Sequence, residues 1–240
     1  MEAKKKTLLW LELAGFVFTV VVGTIMHFGF ELSGFSRTLA WLFPVNESPW
    51  EHLKLSFYPV VFWGLVMYAI IRRSPTLRPS AHGGVRNVWF ARLLGAYVAV
   101  MTTVVSWSLQ YWLMGRSVLA IDIGMMYAGL LAAALLCRLL LAAQQIGDAR
   151  LLERCAVAGF ALLLAAFVVF SYRVPASRLW LDRPYQAYGI IEGHLLFDRH
   201  LPSQVQHAPT MPVFAGFAPL VIVGVLLAAC FVYGRRRGTR

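Results

Sequence analysis

Charge is what this chain has least of. Asp, Glu, Lys and Arg make up 14% of its 240 residues, against about 25% in an ordinary globular domain, which excludes a water-soluble body of this size. Acidic residues are the scarcer sign, 11 against 22 Lys and Arg, and no segment between the apolar runs is long enough for a separate soluble module. Cysteine is also sparse. Cys137, Cys155 and Cys230 fall in or beside apolar segments without paired spacing, so neither a disulfide framework nor a thiolate metal site is expected and the three read as packing residues. No internal repeat, low-complexity tract or inverted pair of broken helices is visible, which weighs against a secondary transporter.

What the chain has instead is apolar length. Hydrophobic residues make up 59% of the sequence and the mean hydropathy is +0.66. A bilayer-spanning helix needs about 20 apolar residues, and six such runs occur, at about 8–34, 50–71, 88–114, 117–143, 151–172 and 211–233. The first exceeds a signal-peptide core and has no small-residue cleavage pattern behind it, so it is expected to remain as a helix. The runs are apolar on nearly every face, whereas a transmembrane barrel would show short alternating segments. The expected fold is therefore all-α, a polytopic integral membrane bundle of about six helices forming one transmembrane domain over 1–240.

The distribution of Lys and Arg orients that bundle. With the N-terminus in the cytoplasm, Lys4, Lys5, Lys6, Arg72, Arg73, Arg92, Arg235, Arg236 and Arg237 fall inside, while Glu31, Glu47, Glu51, Asp122, Asp182, Glu192 and Asp198 fall outside. The whole net charge of +11 then lies on the cytoplasmic side, as the positive-inside rule requires. Both termini are expected inside a bacterial cytoplasmic membrane. The basic clusters sit beside apolar runs, where they meet anionic lipid; nucleic acid is not an expected partner. The longest connection, 173–210, is an outer loop.

Polar groups concentrate where the second span begins, in Phe43-Pro44-Val45-Asn46-Glu47-Ser48-Pro49-Trp50-Glu51-His52-Leu53-Lys54. Ser48, Pro49 and Glu51 form a capping box with proline at the first helical position, so a helix starts there. A cap leaves Asn46, Glu47, His52 and Lys54 unexplained in a segment about to enter lipid. The Pro-Val-Asn-Glu-Ser-x-Trp-Glu-His-x-Lys run, following a first span that ends in a His-x-x-x-Glu pair, resembles an uncharacterised family of small bacterial polytopic membrane proteins with a domain of unknown function. The resemblance covers most of the chain, with looser pieces at Pro175 to Gly189. It implies the multi-pass fold and no particular reaction.

Chemistry must come from ionisable groups at membrane depth, which are costly and face a bundle interior or a wet hollow. Helical rise places His27 about 10 Å, His52 about 6 Å and Asp122 about 7 Å below the outer surface. Glu31, four residues after His27, is expected on the same face. Two imidazoles and a carboxylate make a ligand set for zinc or another divalent metal, with an open position for water. Glu51 or Glu47 would serve as general base, with Asn46 and Ser48 around the entrance and hydrophobic walls suited to a lipid-like or small-molecule ligand. Structural roles compete with each assignment. His27 can bond across helices, Asp122 can pair with Arg116 or sit under Gln110 and Tyr111, Glu51 can be a cap, and Lys54 can snorkel or neutralise Glu47 and Glu51. Ser48 lacks a Gly-x-Ser-x-Gly elbow and is a poor nucleophile candidate.

In the outer loop, Asp182, Tyr185, Tyr188, Glu192, His194, Asp198, His200 and His207 are placed to fold over the mouth as a lid. Alternatively, Trp180 and Phe197 would lie at the headgroups of an interfacial segment. Three functions follow: a membrane-embedded metal-assisted hydrolase or transferase, a cation- or proton-coupled carrier, and a non-catalytic scaffold or accessory subunit. A carrier needs polar groups continuing inward, and only Glu12, Thr102, Thr103 and Ser106 offer them. The one-sided pattern favours an outer pocket.

Overall fold

A computed structural model describes residues 2–78, 87–143, 148–184, 186–191 and 211–238. Six helices in it are long and apolar enough to cross a membrane, and the protein is an all-α, multi-pass membrane bundle. They are α1 (Glu2–His27), α3 (Pro49–Arg73), α4 (Val88–Met114), α5 (Leu119–Ala142), α6 (Ala149–Tyr172) and α7 (Val213–Gly238), with the one-turn helix α2 (Gly29–Leu32) and a 3-10 turn (Arg37–Leu39) between the first two. The first apolar run does not continue to residue 34 as one helix. The chain tightens at Phe28, whose N–H bonds the Ile25 carbonyl, and turns out through Gly34 at φ +67°. His27 is therefore the last residue of α1, and Glu31 sits on α2.

Local chemistry explains where the helices start and stop. Ser48 caps α3 by accepting the Glu51 N–H, with Pro49 behind it. Asp148 caps α6 by accepting from the N–H groups of Arg150 and Leu151. α4 stops at Gly115, whose φ of +68° a side chain would resist. The Gln110 side chain then closes the turn into α5 by accepting the Val118 N–H at 2.8 Å.

α4 is central, touching α3, α5, α6 and α7. α1, α3, α4 and α5 close a four-membered ring, and α6 and α7 pack together beside it. With lipid on the outside, apolar side chains alone do not drive helices together, and small residues that let backbones approach carry more of the work. The buried stripe of α1 shows this spacing: Leu8, Glu12, Gly15, Thr19, Gly23 and Met26. Gly15 lies under the Trp63 indole of α3, and a methyl group on Gly23 would lie 2.7 Å from the Leu55 carbonyl oxygen.

Two expectations are corrected. Cys155 of α6 and Cys230 of α7 are joined as a disulfide between facing helix sides, 75 residues apart in sequence; only Cys137 is a free buried thiol. Spacing gave no sign of this because helix docking creates the proximity. Arg92, counted above as a cytoplasmic charge, is buried in the bundle and forms a bidentate ion pair with Glu12. Helical rise puts this pair about 22 Å along α1 from His27, at the end opposite the Asn46–Lys54 turn.

The segment after α6 folds back over that turn as a strap. A two-residue hairpin, β1 (Leu181–Asp182) with β2 (Ala187–Tyr188), forms its tip. Trp180 is not at an interface but fully buried, stacked on Trp50 at 4.7 Å between centroids and edge-on to Phe170. Phe197 lies outside the described residues, as do Tyr185, Glu192, His194, Asp198, His200 and His207, and with them most of the expected lid.

Candidate functional site

The Asn46–Lys54 turn has two faces with different duties, and the first is a latch. Asn46 Oδ1 accepts the Ser48 N–H at 2.9 Å, and its Nδ2 donates to the Gly189 carbonyl of the strap at 2.7 Å. The Trp50 N–H donates to the Leu179 carbonyl and the Ile191 N–H to the Val45 carbonyl. Only one arm of the expected capping box is made. Ser48 Oγ accepts the Glu51 N–H, but the Glu51 carboxylate turns inward, accepts the Val45 N–H at 3.1 Å and pairs with Lys54.

Lys54 does not snorkel. It is wholly buried, and its ammonium also donates to the carbonyls of Ala40 and Phe43 and to Ser171 Oγ of α6. A buried ammonium persists only with such a complete set of acceptors. Three of the four residues expected around a catalytic entrance, Asn46, Ser48 and Glu51, are thus buried and committed to holding the strap and α6 against α3.

The other face carries Glu47 and His52, and α1 brings His27 to meet them. His52 Nε2 lies 3.2 Å from one Glu47 oxygen and His27 Nε2 lies 3.7 Å from the other. The imidazole centroids are 5.2 Å apart. One ligand atom from each of the three residues falls within 4.8 Å of the others, and all three side chains are partly exposed. His52 Nδ1 lies 2.8 Å from the Ser48 carbonyl one turn back. A carbonyl accepts only, so Nδ1 carries a proton and Nε2 faces the Glu47 carboxylate. Two occupants satisfy that second contact: another proton, making imidazolium, or a cation shared by the three residues. Glu47 is itself positioned by the strap, since its N–H donates to Asp182 Oδ2 at 2.7 Å.

The cluster stands at the wall of a cavity of about 420 Å³. α1, α3, α4, α5 and the strap all contribute to its lining, with Leu55, Leu119, Ile123 and Met126 among the apolar side chains and His27, Glu47, His52, Asp122 and Arg183 among the polar ones. Asp122 thus reaches the expected hollow but not the ligand cluster. One of its oxygens accepts from Gln110 Nε2 at 2.8 Å and the other lies 3.7 Å from Arg183 Nη1, so its cationic neighbour is Arg183 rather than Arg116. Arg183 had not been singled out from sequence, nor had Asp182 as an anchor. Their only signal was position, since two charged residues stand beside a turn-forming proline in the longest loop.

The residues that build both faces of the turn, together with α1, α6 and the strap, lie in one continuous stretch that a family model recognises. The chain belongs to a family of unknown function (DUF6512). The match runs over residues 1–190, ending where the strap docks on Val45; α7 lies beyond it. No curated protein and no solved structure matches the chain. Family membership therefore supplies no chemistry for this site.

Proposed function

We propose that this protein is a membrane-embedded, metal-dependent hydrolase or transferase acting on a lipid-like substrate. Zn²⁺ or another divalent transition metal would be held by His27, Glu47 and His52. One observation carries the reading: two imidazole nitrogens and a carboxylate oxygen, from the end of α1 and from the start of α3, converge within 4.8 Å at the wall of an apolar-lined cavity. Three protein ligands of the N and O type with room for a fourth, exchangeable position are the pattern of catalytic zinc sites. The His52 Nδ1 contact with a backbone carbonyl supplies the outer-shell partner that such ligands use.

Metal-bound water has its pKa lowered to about 7. Held by His27, Glu47 and His52, such a metal would supply a water activated for attack on an ester or phosphate ester. Charge distribution along the sequence supports placing this site on the extracytoplasmic side of a bacterial cytoplasmic membrane with both termini inside.

Elemental analysis of detergent-purified protein tests the reading. We expect about one divalent metal per chain, lost in His27→Ala, His52→Ala and Glu47→Gln while the protein remains folded. Folded wild-type protein that takes up no divalent metal when offered it would remove the proposal.

A carrier is the second reading, and one observation favours it. The same four helices that line the cavity also enclose the Glu12–Arg92 pair at their far ends, with a water-sized hollow against it. Cation-dependent uptake into vesicles that disappears in Glu12→Gln would support transport over hydrolysis.

A further inference from the structure

Arg183 is the cation of the cavity lining, and the way it is held says what it is for. Its guanidinium lies over the Trp107 and Tyr111 rings at 5.6 and 5.3 Å from their centroids. Two aromatic faces fix its plane without using its N–H groups. Its Nε is buried and has no hydrogen-bond partner among the described residues. The Asp122 oxygen at 3.7 Å is beyond hydrogen-bond reach, and the other Asp122 oxygen is taken by Gln110. A planar guanidinium stacked on aromatics at the edge of an apolar hollow, with no carboxylate of the described residues within hydrogen-bond reach, is suited to recognition of a phosphate or carboxylate.

The cavity suits one chain better than two. Its volume of about 420 Å³ lies toward the small end of the range for ligand pockets, about 300 to 1,000 Å³. Electrostatics point the same way as geometry. Among the described residues, Glu47 and Asp122 are the carboxylates of the lining and Arg183 its one permanent cation. A divalent metal at the His27–Glu47–His52 cluster would turn that lining net positive.

We infer that the ligand of this cavity is an anionic single-chain amphiphile, its oxyanion head gripped by Arg183 and its chain lying against Leu55, Leu119, Ile123 and Met126. The inference rests on the metal-site reading for the second contact to the head, but Arg183 and the apolar walls stand without it. Asp182 sets the position of the grip, because its bond to the Glu47 N–H fixes the adjacent residue at the cavity rim.

The test uses the full chain in phosphatidylcholine nanodiscs, with empty nanodiscs as the blank. Titration calorimetry compares lysophosphatidic acid with lysophosphatidylcholine of the same chain length, and with inorganic phosphate. We expect the acid to bind at least about tenfold tighter than the choline ester, as a charge-assisted bidentate contact requires, and inorganic phosphate at equal concentration to leave its binding unchanged. Arg183→Gln should abolish the preference and Arg183→Lys should keep part of it, both with metal content equal to wild type.

Equal affinity of the two lysolipids for wild type overturns the inference without any variant. So does a preference surviving in Arg183→Gln, and full competition by inorganic phosphate overturns the need for a chain. Metal content is read separately. A metal-free protein that still shows the Arg183-dependent preference would defeat the hydrolase reading and keep this one. A metallated protein without the preference would do the reverse.

Discussion

Glu47 and Glu51 stand four residues apart on the same turn, and their fates differ completely. Glu51 is buried beside an equally buried Lys54, with Val45 and the strap closing over it. Glu47 is partly exposed, faces a cavity, and meets two imidazoles that come from different helices. The same contrast holds for the whole motif: Asn46, Ser48, Glu51 and Lys54 hold the fold together, whereas Glu47 and His52 present nitrogen and oxygen ligands to a hollow. Density of polar residues at a membrane surface therefore does not identify a reactive site. What separates the two faces is burial, because one set of polar groups is sealed inside the bundle with its partners whereas the other stands part-exposed at the wall of a cavity, where a ligand can reach it.

The largest effect should come from breaking the latch at its charge. Lys54→Met leaves the Glu51 carboxylate buried without its ammonium, and loss of one partner of a buried pair costs about 3–5 kcal/mol. Thermal unfolding in detergent should show it, and the double variant Glu51→Gln with Lys54→Met should be more stable than Lys54→Met alone. A single variant as stable as wild type would erase the distinction between the faces.

Next in size is Asn46→Ala. It removes the acceptor for Ser48 N–H and the donor to Gly189, for about 1–3 kcal/mol, and hydrogen exchange should accelerate over residues 186–191. Gly23→Ala should cost a comparable amount, about 1–3 kcal/mol by overpacking, because its new methyl group meets the Leu55 carbonyl and separates α1 from α3 beside His27.

The cavity face should behave oppositely. Glu47→Gln removes only partly exposed ion pairs, so its stability should change by no more than about 1 kcal/mol, while metal affinity falls at least tenfold, about 1.4 kcal/mol. Asp122→Asn sharpens the comparison further. It should retain the metal, since Asp122 lies outside the ligand cluster; metal loss there equal to that of Glu47→Gln would restore Asp122 as a ligand.

Much of this was legible beforehand. Six spans emerge from run length alone, and the bounds of α4 fall where the apolar run does, at Val88 and Met114. The Ser48 cap was readable from local chemistry, as was the special character of the Asn46–Lys54 stretch. His27 and His52 were singled out as a pair because imidazoles are conspicuous in lipid. The residue that meets both imidazoles is Glu47, whereas Asp122 was the one expected beside them. Asp122 and Glu47 both face the cavity, and choosing between them requires knowing that Gln110 and Arg183 engage one while both imidazoles approach the other. The Cys155–Cys230 bond and the Glu12–Arg92 pair were hidden for the same reason, each joining positions at least 75 residues apart.

Sequence alone determined that this chain crosses a bilayer about six times, because a lipid interior demands uninterrupted apolar helices and leaves their signature in composition. It also determined which turn would carry the polar groups, since the cost of charge in lipid makes every exception visible. Only the tertiary structure decided which of those groups face the cavity and which are sealed away. That division depends on which partners the helices and the strap bring within hydrogen-bond reach, and docking sets those distances where neighbouring sequence cannot.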